Sequence, residues 1–302
     1  MLINRYMKVT FLGTSCMMPT KERNTSAVFI SHKNEGILID CGEGTQRQLM
    51  LAGIRPTKIT KILLTHWHGD HSLGLPGLVQ TMAAMSYPGI LEIYGPKGTV
   101  KRFNSIENSF YFDLRLKVKV REVEGGVFFE SKDIRLEAAE MQHPVPCNAY
   151  AVIEADRRKI NLNVTKKLGI PEGVLLGELQ EGKTIQWKGR KVTPEEATIV
   201  VRGKKVAFIT DTIVTKKCEE IAADADLLIC EAVYASNLAE QAKKYGHMTA
   251  LESAQLAARA NVKKLVLTHF SARYKDTAEL ELDARTAFDN VIAAKDFMEI
   301  IV

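Results

Sequence analysis

The sequence contains few cysteines, and no two of them form a C-x-x-C pair. The chain of 302 residues has five, scattered along its length: Cys16, Cys41, Cys147, Cys218 and Cys230. An odd and dispersed set argues against a disulfide framework and against a zinc site built on cysteine. We therefore expect most of them to be small buried side chains in a reducing compartment.

Long hydrophobic runs are also missing from the sequence. No apolar stretch approaches the roughly 20 residues that a membrane-spanning helix requires. The first residues, "MLINRYMKVTFLGTS", lack the charged region, apolar core and cleavage site of a signal peptide. We expect a cytoplasmic protein with no membrane partner. Met7 is an alternative natural start, which would make the first six residues an extension.

Charge of neither sign dominates the chain. The formal net charge of +5 is a small basic excess, which is consistent with a polyanionic partner but does not require one. The 46% hydrophobic and 25% charged residues are ordinary globular usage. A chain of this length fits one large or two ordinary domains with a substantial core.

Short β-branched runs indicate the fold class. Runs such as "GILID", "KILLT", "KVAFITD" and "KKLVLTHF" alternate with helical patterns, which predicts an α/β protein. The neighbouring strand-like stretches "KVKVREVE" and "VFFESKDIRLEAAEM" favour a mixed sheet. Residues 155–191 interrupt the pattern, because they are rich in Gly, Lys and Arg. We interpret this segment as an insertion.

The stretch "LLTHWHGDHSLGLPGL", residues 63–78, has the pattern of a metal site. Four potential ligands follow the apolar run "KILLT" within six positions: His66, His68, Asp70 and His71. Imidazole and carboxylate groups suit zinc or a similar divalent ion, and a loop leaves a coordination position open for water. Two adjacent ions would satisfy both halves of the motif. A set of unrelated histidines is a poor alternative for such close spacing.

Four ligands do not complete two metal sites, so further ligands are expected elsewhere. Three candidates stand where an apolar strand ends: His143, Asp211 and His269. Each has a structural alternative, because Asp211 could cap a helix and either histidine could be a hydrogen-bonded rim residue. Asp211 is the single carboxylate among the three and is the natural bridge between two ions.

The stretch that follows the motif, "GLPGLVQTMAAMS", is apolar on nearly every side. We expect it to form a helix that is buried in the core or against another chain. The sequence pattern does not distinguish between these two arrangements.

Several further stretches point to one family, among them "PTKERNTSAVFI", "LIDCGEGTQRQL", "GHMTA" and "LTHFSARY". Together with the H-x-H-x-D-H motif they resemble ribonuclease Z, the family of tRNA 3′-end endonucleases, over nearly the whole chain. The resemblance implies an α/β metallo-β-lactamase fold: a four-layer αβ/βα sandwich of two mixed sheets. It implies a single domain over residues 1–302, with an inserted flexible arm at 156–190.

The resemblance also implies a ligand assignment with two Zn²⁺ ions per chain. One ion is held by His66, His68 and His143, and the other by Asp70, His71 and His269. Asp211 bridges the two ions. Asp40, which follows "GILI", would orient a ligand imidazole, although it could equally be a turn residue at a strand end.

The implied reaction removes the 3′ trailer from precursor tRNA, leaving a 3′-OH on the tRNA and a 5′-phosphate on the trailer. Asp70 would position the nucleophile, and His247 with its partner Glu231 would protonate the leaving oxygen. A structural role for His247 in capping or packing is the alternative. The rival activity is that of another dinuclear-zinc hydrolase acting on a small phosphodiester or ester. A non-catalytic RNA-binding protein and an iron-containing redox relative are weaker, since the ligand set is intact and includes His68.

The inserted segment resembles the arm with which this family holds the tRNA body. Nine basic residues would supply phosphate contacts: Arg157, Arg158, Lys159, Lys166, Lys167, Lys183, Lys188, Arg190 and Lys191. The alternative is a solvated charged loop. The segment departs from the family pattern, because it lacks an R-P-G start and has "EGV" where Gly-Pro is common.

Two further implications concern the residues that contact the cleaved end of the tRNA and the number of chains in the protein. Arg273 and Tyr274 would contact the scissile phosphate or the acceptor end, with packing at a helix start as the alternative. The family resemblance also implies a homodimer through the "GLPGL" region.

Overall fold

The computed structural model describes residues 6–111 and 115–302 of the chain. Its strands, in chain order, are β1 (Lys8–Gly13), β2 (Ala27–His32), β3 (Glu35–Ile39), β4 (Lys61–Leu63), β5 (Ile90–Gly95), β6 (Lys117–Glu122), β7 (Gly125–Glu130), β8 (Ile134–Met141), β9 (Cys147–Glu154), β10 (Arg157–Ile160), β11 (Ile185–Trp187), β12 (Arg190–Val192), β13 (Thr198–Val201), β14 (Lys205–Ile209), β15 (Leu227–Glu231), β16 (Leu265–Thr268), β17 (Val291–Ala293) and β18 (Glu299–Ile301). Its α-helices are α1 (Thr45–Leu51), α2 (Gly69–Ser72), α3 (Leu75–Ala84), α4 (Thr99–Ser109), α5 (Leu162–Lys167), α6 (Val174–Gln180), α7 (Pro194–Ala197), α8 (Lys216–Ala222), α9 (Ala239–Tyr245), α10 (Ala250–Arg259) and α11 (Ala278–Arg285).

Two large sheets of seven strands each form the main unit. The first has the order β18-β1-β2-β3-β4-β5-β6, with antiparallel neighbours from β18 to β3 and parallel neighbours from β3 to β6. The second has the order β17-β16-β15-β14-β9-β8-β7, in which β14 to β17 run parallel and β7 pairs antiparallel with β8. Both sheets are therefore mixed, which confirms the prediction.

The sheets lie against each other and carry helices on their other faces. The Tyr150 hydroxyl in β9 donates to the carbonyl of Leu64 after β4 at 2.7 Å, so the sheets are joined directly. Helices α1 and α3 pack with the first sheet around Leu12, Leu38 and Leu78. Helices α8, α10 and α11 pack on β14 to β17 of the second sheet. The order of layers is helix, sheet, sheet, helix, as expected for the metallo-β-lactamase fold.

Helix α3 shows where the apolar stretch after the motif is buried. Leu75, Leu78, Val79 and Met82 are buried within the chain's own core, because they recur at helical spacing on one face. The stretch is thus buried on one side only. The buried face of α3 packs inside the chain itself and gives no information on a partner chain. The homodimer therefore stays a prediction.

A second compact unit comprises residues 131–134 and 153–204. Strand β10 pairs antiparallel with β13, and β11 pairs with β12 in a hairpin. The unit has a small hydrophobic core of its own, formed by Ile170, Leu179, Ile185, Val192 and Ala197. The predicted arm at 156–190 falls inside this range. The unit is folded around buried side chains and includes three short helices and two strand pairs.

None of the described helices is both long enough and apolar enough to span a membrane.

Candidate metal centre

The candidate site lies at the carboxyl ends of parallel strands. In register, Ile39 of β3 is opposite Leu63 of β4, and Cys230 of β15 is opposite Leu267 of β16. Parallel strands that end level bring the residues that follow them to one edge. The chain places seven site residues at the ends of strands or within five residues beyond them: Asp40, His66, His68, His143, Asp211, Glu231 and His269. Six of the seven histidines meet here.

The H-x-H-x-D-H motif differs in one respect from the expected loop, because Gly69–Ser72 form the short helix α2. His68 is its N-cap residue, and the Ser72 hydroxyl donates to the His68 carbonyl at 2.8 Å. The helical turn separates the two halves of the motif. His68 therefore precedes the turn, while Asp70 and His71 lie within it.

The first group of ligand atoms comes from His66, His68, His143 and Asp211. Nε2 of His66 lies 2.9 Å from Nδ1 of His68, which lies 3.4 Å from Nε2 of His143. Oδ1 of Asp211 is 3.9 Å from the same nitrogen of His66. These are separations that one small cation can span. The structure brings this predicted set together.

The second group is formed by Asp70, His71, His269 and the other oxygen of Asp211. Oδ2 of Asp211 lies 3.3 Å from Nε2 of His71 and 3.3 Å from Nε2 of His269. Oδ2 of Asp70 lies 3.4 Å from Nε2 of His71 and 4.0 Å from Nε2 of His269. Asp211 thus directs one carboxylate oxygen to each group, which is the arrangement of a bridging ligand.

Two observations test whether these residues fit a metal ion. Within the described chain, Nε2 of His71 and both ring nitrogens of His269 have no partner in hydrogen-bond geometry, although both residues are fully buried. Buried polar atoms normally have such partners. The donor set of imidazoles and carboxylates is also the one that borderline divalent cations prefer. The residues therefore fit a metal site.

The charges of the site favour a cation as well. Burial alone would lower the pKa of His71, but the carboxylates of Asp211, Asp40 and Asp70 outweigh it and raise that pKa well above its ordinary value. Burial alone would raise the pKa of Asp211, yet the imidazoles of His269 and His71 hold it well below its usual range. The carboxylates thus create a potential that stabilises positive charge, whether on a proton or on a metal ion.

Asp40 holds one of the candidate ligand rings. It is fully buried, and its Oδ2 accepts a hydrogen bond from Nδ1 of His71 at 2.7 Å. The backbone N–H and the hydroxyl of Thr65 donate to the same carboxylate at 2.8–3.0 Å. With its proton on Nδ1, His71 presents Nε2 to the site. The carbonyl of Gly246 does the same for His143, accepting from Nδ1 at 3.3 Å.

Three of these residues have a left-handed backbone. The φ angles are 60° at Asp40, 54° at Asp211 and 59° at His269, and each residue is the first or second after the end of a strand. Such angles are uncommon outside glycine and are found at functional sites. Here they turn each side chain out of the strand direction at the point where the sheet ends.

His247 lies beside the ligands but belongs to neither group. Its Nδ1 is 3.0 Å from Oε2 of Glu231 and 3.7 Å from Oδ1 of Asp211. Glu231 is fully buried, and its other oxygen accepts from the backbone N–H of Thr212 at 2.8 Å. Burial alone would lower the pKa of His247, but Glu231 and then Asp211 raise it above its ordinary value. The imidazole is therefore held by a buried carboxylate at the edge of the site.

A cavity of about 770 Å³ opens over the ligands. Its walls combine His68, Asp70, His143, Asp211 and His247 with apolar and amphipathic side chains: Cys16, Met17, Leu73, Pro144, Tyr234 and Tyr245. Met17 is 75% exposed and Leu73 is 63% exposed. The opening can therefore admit a substrate with both charged and apolar parts.

Several residues that shape the site were missed by the sequence analysis. Thr65 supports both Asp40 and His66, the Thr210 hydroxyl donates to Asp211 at 2.6 Å, and the backbone N–H of Met17 donates to Asp70 at 2.7 Å. A signal exists for the threonines, since Thr65 and Thr210 each directly precede a ligand. No comparable signal marks Met17.

The predicted substrate-binding residues differ in their surroundings. Tyr274 is 8% exposed, and its hydroxyl accepts from the backbone N–H of Ala235 at 2.9 Å, which favours the packing alternative. The Arg273 guanidinium lies 5.0 Å from the centre of the Tyr234 ring, which borders the cavity.

The basic residues predicted for the arm also differ among themselves. Arg157, Lys166 and Lys167 are exposed, whereas Arg158 pairs with Glu195 at 2.7 Å. The first three side chains therefore face solvent, while Arg158 is engaged in an internal ion pair.

Comparison with known proteins gives a consistent result. The sequence profile of the metallo-beta-lactamase superfamily matches residues 20–269. The chain is 42% identical over 300 residues to the ribonuclease Z of Archaeoglobus fulgidus, with 98% of this chain and 97% of that protein covered. It is 40% identical over 297 residues to the ribonuclease Z of Methanosarcina acetivorans, covering 97% of both.

Solved structures agree with these matches. The short form of human tRNase Z has a TM-score of 0.70 and 30% identity, with 97% of this chain and 98% of that one covered. A metallo-beta-lactamase fold protein of Bacillus subtilis, at 20% identity, has a TM-score of 0.72 and supports the fold alone. The resemblance found in the sequence is thereby confirmed. The chain belongs to the ribonuclease Z family of the metallo-beta-lactamase superfamily.

Proposed function

We propose that this chain is a zinc-dependent endoribonuclease that removes the 3′ trailer from precursor tRNA. The cut leaves a 3′-OH on the tRNA and a 5′-phosphate on the trailer. The observation that carries the proposal is the 42% identity to a ribonuclease Z over 98% of the chain. The convergence of the predicted ligand set at one edge of the fold supports it.

The proposed cofactor is a pair of Zn²⁺ ions. His66, His68 and His143 would hold one ion, Asp70, His71 and His269 the other, and Asp211 would bridge them; the two groups of ligand atoms support this division. When bound, two such ions supply Lewis-acid stabilisation of a phosphodiester and a water nucleophile at neutral pH. Asp40 keeps the proton of His71 on Nδ1 and so keeps Nε2 available as a ligand.

Asp70 and His247 handle the protons of the reaction. Asp70 lines the cavity, and its Oδ2 is fixed by the N–H of Met17, so the carboxylate is oriented to position a water for attack and to accept its proton. His247 also lines the cavity, and Glu231 holds its Nδ1 at 3.0 Å. The buried carboxylate stabilises the imidazolium, and the other ring nitrogen is left to protonate the departing 3′-oxygen.

Binding of the tRNA body is assigned to the second compact unit. The exposed Arg157, Lys166 and Lys167 supply phosphate contacts, which position a substrate without reading its sequence. Arg158 belongs to the same proposed set, although it would have to leave its ion pair with Glu195 in order to contact a phosphate. Arg273 would contact the acceptor end, and Tyr274, whose hydroxyl accepts from the N–H of Ala235, would pack beside it.

The proposal also includes an assembly and a location. A homodimer would form through the region of α3, whose outward positions include the half-exposed Gly77 and Gln80. A cytoplasmic location is proposed as well, as the place where precursor tRNA would be cut.

The proposal is tested with an unprocessed precursor tRNA and, in parallel, a nitrophenyl phosphodiester. We expect cleavage at the 3′ end of the tRNA moiety, with a 3′-OH on the tRNA and a 5′-phosphate on the trailer when the ends are mapped. Cleavage of the small diester alone, with the tRNA left intact, would instead indicate a small-molecule phosphodiesterase on the same fold.

A further inference from the structure

Tyr245 is an exposed aromatic residue beside the candidate metal centre. It is 50% exposed, and it lines the cavity over the ligands together with His247. A tyrosine ring offers a large apolar face and has only two side-chain torsions to fix, so it can pack against another flat group at little cost in conformational entropy. The ring is thus available to a molecule that fills the cavity.

The turn after helix α9 fixes Tyr245 relative to His247. The helix ends at Tyr245, and Gly246 follows with a left-handed φ of 74°. The N–H of His247 donates to the carbonyl of Ala242 at 2.9 Å, and the N–H of Gly246 donates to the carbonyl of Lys243 at 3.2 Å. These two bonds form the Schellman motif of a helix C-terminus. The phenol ring and the imidazole are therefore carried by one closed turn.

Cations lie beside the tyrosine rings of the cavity. The Lys244 ammonium is 5.7 Å from the centre of the Tyr245 ring, and the Arg273 guanidinium is 5.0 Å from the centre of the Tyr234 ring. Both tyrosines line the cavity, and both cationic residues are exposed. Proteins bind single-stranded nucleic acid with this combination, because a ring stacks on a base while a cation attracts the phosphates. The charges are thus complementary to an RNA strand.

The position of His247 indicates which base of the RNA meets Tyr245. In the proposed reaction His247 protonates the leaving 3′-oxygen, and that oxygen belongs to the last nucleotide of the tRNA. The base of this nucleotide is joined to the leaving oxygen through one ribose, whereas the first trailer base lies beyond the phosphate. Tyr245 stands two residues before His247 on the same turn. The base on the 5′ side of the cut is therefore the one within its reach.

We propose that Tyr245 is the side chain on which the base of the last tRNA nucleotide stacks. This assignment rests on the proposed function. Stacking holds the nucleotide so that its leaving 3′-oxygen faces the imidazole of His247. Since every base has a π face, the ring accepts all four bases. Tyr245 thus positions the end of the tRNA without requiring a particular nucleotide there.

The test combines Tyr245→Leu with precursor tRNAs that lack one base, and it measures kcat/KM of the zinc-loaded full-length protein. On the intact precursor, Tyr245→Leu should lower kcat/KM about 5- to 150-fold, the usual effect of losing one base–aromatic stack. Removing the base of the last tRNA nucleotide should lower the wild-type value by a similar factor and should have little further effect in the variant. Removing the first trailer base should change kcat/KM by the same factor in both proteins.

Two further variants serve as controls. Tyr245→Phe keeps the ring and should keep nearly the wild-type kcat/KM. Phe110→Leu is the matched control and should also keep it, because Phe110 is 51% exposed and directly follows helix α4 but is not one of the described residues that line the cavity. Metal content by elemental analysis and the midpoint of thermal unfolding should be the same in all variants.

Three outcomes would overturn the assignment in distinguishable ways. Independent losses from Tyr245→Leu and from the missing last base, or a loss in Tyr245→Phe equal to that in Tyr245→Leu, refute stacking and leave the proposed function intact. Coupling of Tyr245→Leu to the first trailer base instead of the last tRNA base refutes the placement on the 5′ side. A wild-type protein that cuts no precursor refutes both the assignment and the proposed function.

Discussion

The substitution Asp40→Asn isolates one hydrogen bond of the candidate metal centre. Asparagine tolerates the left-handed backbone at this position, where φ is 60°. Its amide oxygen can still accept from the N–H of Thr65, which donates to Oδ1 at 2.8 Å. The amide NH₂ then replaces the oxygen that faces Nδ1 of His71 at 2.7 Å. The Thr65 hydroxyl, which donates to both carboxylate oxygens, can still donate to the remaining one, so the main change falls on the partner of one imidazole.

That exchange reverses the tautomer of His71. An NH₂ group pairs only with an unprotonated Nδ1, so the ring proton moves to Nε2, the atom that faces Asp70 and Asp211 at 3.4 and 3.3 Å. A protonated Nε2 is not a metal ligand. Loss of such an outer partner typically lowers metal affinity about 10- to 100-fold, or about 1.4–2.7 kcal/mol.

Folding should be nearly unaffected by the same change. Burial raises the pKa of Asp40, because the ionised carboxylate is disfavoured away from water. A neutral amide avoids that desolvation. The metal-free Asp40→Asn variant should therefore melt within a few degrees of the wild type, while its metal affinity falls.

The assay is competition for Zn²⁺ against a chromogenic chelator, with thermal unfolding followed on metal-free samples. Asp296→Asn is the matched control, since Asp296 is another largely buried carboxylate whose partners are Thr14, Asn24 and Gln48. It should bind metal like the wild type. Undiminished affinity in Asp40→Asn would show that Asp40 does not orient His71, and equal losses in both variants would point to a general loss of structure.

Metal content, proton transfer and RNA binding each give a further prediction. Elemental analysis should find two divalent ions per chain, and chelation should abolish activity that added zinc restores. His247→Ala should slow precursor cleavage about 10²- to 10⁴-fold with both metals retained, and should slow a nitrophenyl diester less because that leaving group needs no proton. Replacing Lys166 and Lys167 by Gln should weaken precursor binding. It should also reduce the slope of log binding constant against log salt concentration by about 0.7–0.9 for each phosphate that is no longer neutralised. The same replacement of the exposed pair Lys216 and Lys217 should leave precursor binding unchanged.

Each of these predictions has a result that would contradict it. Full activity without bound metal would exclude the two-metal site. Zinc loss in His247→Ala would make that residue a ligand, and His68→Ala provides the comparison because it should lose metal and activity together. Equal weakening of precursor binding by the two pairs of lysine substitutions would show that the second compact unit has no special role in holding the tRNA.

The candidate ligands could be predicted from the sequence because their positions follow a local rule. His66, Asp211 and His269 each stand where an apolar run ends, and parallel strands bring such ends to one edge of each sheet. The role of Asp40 was open, because its hydrogen bond with His71 joins residues 31 positions apart. The structure supplies that partner.

Other features depend on long-range pairing that no local pattern reveals. Cys16 reaches the site because the chain around Ser15 pairs with Phe270 from the far end of the sequence. The sequence at 155–191 indicates a charged insertion and no core, since its buried members, such as Ile170 and Leu179, are widely spaced among glycines and lysines. A core assembled from isolated apolar residues leaves little periodic signal.

The left-handed backbone at Asp40, Asp211 and His269 also limits which substitutions these positions accept. Asn, Asp and His, besides glycine, are the residue types that adopt this conformation most readily. Two of them, Asp and His, are also strong zinc ligands. In a saturation library selected for folding alone, the three positions should retain Asn, Asp, His and Gly and reject Val and Ile. Backbone geometry would thus preserve ligand-capable side chains even where selection for catalysis is absent.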